Sequence, residues 1–74
     1  MNFAQKLRTM RAARGLSQEQ LAEAALTSAS FVSHMETGKL LPSSDLAIRL
    51  RKALDWTELE DKAFEILGRE AESA

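Results

Sequence analysis

Apolar side chains recur along the chain at three- and four-residue spacings. Because a helix advances about 100° per residue, such spacing puts them on one face of successive helices. Phe3, Leu7 and Met10 form the stripe of a first predicted helix, "NFAQKLRTMRAAR", which Gly15 stops where a left-handed residue is favoured. A second helix opens at "SQEQ", a capping box in which the Ser17 hydroxyl and the Gln20 amide satisfy each other's orphan backbone donors, and it turns Leu21 and Ala25 inward. The third runs from Ser28, its N-cap, to Gly38, its stop. Val32 and Met35, with Ser28, define its buried side, Phe31 lies on the border, and Ala29, Ser30, Ser33, His34 and Thr37 fall on the outer face.

Leu46, Leu50, Ala53 and Leu54 mark a fourth helix, "SSDLAIRLRKAL"; Pro42 near its start is tolerated because early helical positions need no intrahelical donor. A second capping box, Thr57 to Glu60, opens a fifth helix whose apolar members are Leu59, Ala63, Ile66 and Leu67. With no alternating β-branched run and no Asn-Gly or Asp-Gly turn, the fold class is all-α, a compact five-helix domain over residues 1–67 with a polar tail, 68–74, expected to fray. Trp56 and Phe64 read as core residues that close the last helix onto the bundle. The alternative is that one of them joins the fifth helix in a dimer surface, for which Leu59, Phe64 and Leu67 are the candidates. A chain of 74 residues buries only one small core, which favours such a partner.

Composition narrows the chemistry. There is no Cys, so neither a disulfide framework nor a thiolate metal site is available. With one His and no Tyr, nucleophile–base arrangements are nearly excluded, and the carboxylates lie in solvated helical runs; an enzyme is not expected, nor a cofactor. His34 and Glu36 stand two apart on a helix and point in different directions, so no metal site is expected there. No apolar run has the length of a membrane span and the start lacks a secretory signal, so the expectation is a soluble, cytoplasmic protein.

The net charge of −1 conceals an asymmetry. Residues 1–53 hold eight Lys and Arg against four Asp and Glu, whereas residues 54–74 hold two against seven. The first part is therefore a basic body suited to a polyanion, and the acidic end would face away from it.

The segment "GLSQEQLAEAALTSASFVSHMETGKLLPS" resembles the helix-turn-helix of the phage-repressor-like family (Cro/cI type, also called the xenobiotic-response-element type). Gly15, Leu16, Ser17, Gln18, Glu19, Leu21, Ala22, Ser28, Ser30, Val32, Ser33, Glu36, Gly38, Lys39, Pro42 and Ser43 match its pattern without a gap. Leu7, Arg8 and Arg11 extend the match into the first helix. The resemblance implies a domain whose third helix enters the major groove of double-stranded DNA, usually as half of a two-fold dimer on a near-palindromic operator. It implies backbone contacts from Gln18 at the start of the second helix, from Lys39, and from Ser43 and Ser44 at the start of the fourth. It also implies a structural ion pair between Arg11 and Glu36.

Two features depart from the family pattern, a turn and a helix face. The turn between helices two and three usually carries Gly then an aliphatic residue, and here holds Leu26 then Thr27. A left-handed Leu is costly, so the expectation is a turn that bends differently and places Leu26 in the aliphatic pocket. On the outer face of the third helix, Ala29, Ser30, Ser33, His34 and Thr37 stand where long polar side chains are frequent. Ala29 and Thr37 can pack on a thymine methyl, Ser30 can bond several base edges, and His34 can donate to a guanine or a phosphate. Recognition by these residues would lean on shape, apolar contact and water. The leading expectation is thus a sequence-specific transcriptional regulator, a repressor, acting as a homodimer. The competing one is a helix-turn-helix scaffold that binds a protein partner through Phe31 and its neighbours.

Overall fold

The computed structural model describes residues 2–56. Among them all regular structure is helical: α1 (Phe3–Ala13), α2 (Gln18–Ala24), α3 (Ala29–Glu36) and α4 (Ser44–Ala53). The expected fifth helix, its candidate dimer residues Leu59, Phe64 and Leu67, and the expected tail lie outside the described residues.

Each helix starts with a side-chain oxygen that accepts from a backbone N–H three residues on. Asn2 caps Gln5, Ser17 caps Gln20, Ser28 caps Phe31 and Ser43 caps Leu46. In α1 and α2 the third residue returns the bond, which completes the capping box expected at Ser17 and adds one at Asn2. Two expectations are corrected here. Ser28 is exposed, because a residue that caps a helix stands outside its buried stripe. Pro42 precedes the Ser43 cap and so lies before the helix and not within its first turn.

The four helices also end alike. After each C-cap comes one residue with positive φ: Gly15 at 67°, Leu26 at 57°, Gly38 at 81° and Asp55 at 50°. The backbone N–H of the next residue then reaches back to a carbonyl of the last turn: Leu16 to Arg11, Thr27 to Ala22, Lys39 to His34 and Trp56 to Arg51, at 2.9–3.1 Å. This is the Schellman closure, and it requires the left-handed conformation whatever the side chain. Leu26 therefore overturns the sequence expectation: it is left-handed and 78% exposed, and Thr27 is the residue that becomes half-buried.

The core joins Leu7 and Met10 of α1, Leu21 and Ala22 of α2 with Ala25, Val32 and Met35 of α3, and Leu46 and Leu50 of α4 with Leu54. Phe3, Leu16, Ala29, Phe31, Ala53 and Trp56 pack against it while partly exposed. α3 rests on both α1 and α2, and α4 rests on α2. Beside the core the Phe3 and Trp56 rings stack nearly parallel, 6.4 Å between centroids, and the Arg51 guanidinium lies 5.4 Å from the Trp56 ring centre.

Candidate nucleic-acid interface

The candidate interface centres on α3, whose inner residues Val32, Met35 and Glu36 are buried. Glu36 is the buried charge among them, and its surroundings explain how it is tolerated. Arg11 Nε donates to Glu36 Oε2 at 2.6 Å and Arg11 Nη2 to Oε1 at 3.0 Å, a bidentate pair that ties α1 to the last turn of α3. Arg11 Nη1 donates to the Leu16 carbonyl at 2.8 Å, so the guanidinium also holds the turn before α2. Side-chain exposure is 19% for Arg11 and 4% for Glu36. The hydrogen bond to Glu36 holds the Arg11 pKa above its ordinary value, against the opposing effect of burial.

Gln18, the backbone candidate on α2, joins this network: its Nε2 donates to Glu36 Oε1 at 3.3 Å. One N–H of the amide is thereby committed to Glu36, which leaves the second N–H for another acceptor. Gln18 is half-buried beside the end of α3.

The outer face of α3 shows Ser30 and Thr37 exposed, with Ser33 and His34 half-buried between them. These four recur at three- and four-residue intervals and share one side of the helix. Ala29 is half-buried and packs on the core, so it offers only a methyl edge. The Thr37 hydroxyl donates to the His34 carbonyl at 3.2 Å, closing the helix end. Past that end, Lys39 is exposed, and Ser43 and Ser44 are exposed at the start of α4. The Ser43 oxygen accepts from the Leu46 N–H at 3.2 Å. Phe31, expected to mark a protein-facing edge, packs against the core cluster.

Two arginines that sequence reasoning left unassigned link the elements. Arg14 Nε donates to the Leu54 carbonyl at 3.0 Å and its Nη2 to the Asp55 carbonyl at 3.3 Å, so α1 caps the end of α4. Arg49 Nε donates to the Ala25 carbonyl at 2.8 Å, so α4 caps the end of α2. Both are basic residues next to an apolar stripe, the one sequence signal that could have singled them out. Among the described residues no group of acidic, His or Cys side chains is placed to hold a metal, and no helix is long and apolar enough to cross a membrane.

Comparison with known proteins agrees with this architecture. A family described as a helix-turn-helix domain matches residues 2–62. Curated proteins gave no match. Among solved structures, the chain is similar to the restriction-modification controller protein C.AhdI from Aeromonas hydrophila. Identity is 40% and the TM-score 0.73, over 78% of this chain and 84% of that one. The chain belongs to the helix-turn-helix domain family of the phage-repressor-like, Cro/cI type.

Proposed function

We propose that this protein is a DNA-binding transcriptional regulator that reads the major groove with α3 and represses from a near-palindromic operator as a homodimer. The observation that carries the reading is the arrangement around α3. The outer side of α3 carries Ser30, Ser33, His34 and Thr37, the Gln18 amide bonds Glu36 in the last turn of the same helix, and the exposed Lys39, Ser43 and Ser44 follow it in the chain. In this reading the first four residues meet base edges, and Gln18, Lys39, Ser43 and Ser44 meet the backbone. Similarity to a restriction-modification controller supports a regulatory role and favours that setting.

With short side chains on the reading face, α3 can approach the base edges closely. Specificity then comes from thymine methyls, groove shape and bridging water, with His34 as the longest polar reader. The test is selection of bound duplexes from a random pool, followed by the affinity of the selected duplex at low and near-physiological salt. A two-fold symmetric motif with steep loss of affinity in salt is expected, because neutralised phosphates release counterions. Weak binding without a preferred sequence would overturn the proposal in favour of a protein-binding module.

A further inference from the structure

Arg49 lies on α4, outside the positions that the family pattern assigns to DNA, yet it reaches across to the turn from which α3 begins. Its acceptor, the Ala25 carbonyl, belongs to the C-cap of α2, one of the helix-end carbonyls that have no intrahelical donor. The carbonyls of Leu21, Ala22 and Glu23 are taken by the backbone N–H groups of Ala25, Thr27 and Leu26. Arg49 therefore supplies from a different element what the turn does not supply to Ala25. Its cation also stands at the negative end of the α2 dipole. The next residue is the left-handed Leu26, for which the conformation is unfavourable, so bonds to neighbouring groups hold the turn against the preference of its own residue.

We infer that Arg49 is a positioning residue for the DNA-reading surface. It locks α4, which presents Ser43 and Ser44, to the turn that sets where α3 enters the groove. The inference rests on the DNA-binding reading. A specific complex needs backbone and base contacts in one register at the same time, whereas non-specific binding needs only the charge. Loss of the brace should therefore lower the ratio of specific to non-specific affinity. Loss of a charge alone should lower both affinities together.

The experiment compares wild type, Arg49→Met, Arg49→Lys and Lys52→Met. The last removes the same charge from an exposed position on the same helix. Each variant is measured on the selected duplex and on a scrambled one, at a temperature where circular dichroism shows it folded, with amide hydrogen exchange at Leu26 and Thr27 in the free protein. Arg49→Met is expected to reduce the specific ratio by roughly tenfold, the size of one lost base-pair contact. The same variant should speed exchange at the two turn amides, with Arg49→Lys recovering part of both effects and Lys52→Met changing neither. An unchanged ratio with lower stability would show that Arg49 only holds the fold, and equal losses on both duplexes in both Met variants would show that only its charge matters. Either result overturns the inference. If wild type itself prefers no duplex, the DNA-binding reading fails and the positioning role falls with it. Faster turn exchange in Arg49→Met would then show that the brace exists without that use.

Discussion

Leu26 occupies a conformation for which glycine is the natural residue, and it exposes most of its apolar surface in doing so. Leu26→Gly should relieve about 1 kcal/mol of left-handed strain, offset in part by the greater freedom of glycine in the unfolded chain. The expected outcome is a small gain in stability, a rise of a few degrees in melting temperature by calorimetry; a large fall would mean that the Leu26 side chain makes stabilising contacts. Glu36 is the opposite case, a residue whose cost is met entirely by its partners. Glu36→Leu would leave the Arg11 guanidinium without its carboxylate, a loss of about 3 kcal/mol or more for a pair this enclosed, measurable by denaturant unfolding. The Arg11–Glu36 pair was foreseeable from the family pattern. The added bond from Gln18 was not, since it depends on where the first turn of α2 falls against the end of α3.

Among the helices, α3 carries the face proposed to read DNA. It has eight residues, it starts on the single cap Ser28, and its polar face contributes nothing to the core. Removal of the cap in Ser28→Ala should cost about 1 kcal/mol, and Ser28→Asp should keep most of it because the carboxylate accepts the same N–H and favours the helix start. Hydrogen exchange of the amides at Phe31 and Val32 would locate that loss at the start of α3. For α4, Asp55→Gly should stabilise for the same reason as Leu26→Gly, since both residues occupy the left-handed position of a Schellman closure. The starts at Ser17 and Ser28 were legible because a cap and its partner are only three residues apart, whereas the caps Asn2 and Ser43 were not singled out. The helix ends were half legible: Gly15 and Gly38 announce their stops, while Leu26 and Asp55 give no such sign.

The assembled domain uses its cations in two ways. Arg11, Arg14 and Arg49 spend N–H groups on carboxylate or carbonyl oxygens of the domain itself, so they keep their charge but have fewer donors left for a phosphate. A pH dependence follows from Arg11. Its folded pKa is raised, so its contribution is complete below the unfolded value and is lost only as pH rises through the folded one, far above neutrality. Stability of the wild type should therefore show no loss from this group between about pH 7 and 10. Arg11→Lys should bring that loss down to the lysine range, above about pH 10.4, visible as a new alkaline step in urea unfolding.

Residue order alone was enough for the all-helical class, the first four helices, the apolar part of the buried stripe and the caps at Ser17 and Ser28, because each rests on interactions between residues three or four apart. The same order carried the family pattern and with it the face of α3. It did not settle the conformation of Leu26, the attachment of Gln18 to Glu36, or the bonds by which Arg14 and Arg49 join helix ends 40 and 24 residues away. A carbonyl orphaned at a helix end accepts whatever donor the packing brings near. Only the three-dimensional arrangement of α1, α2 and α4 decides which arginine that is.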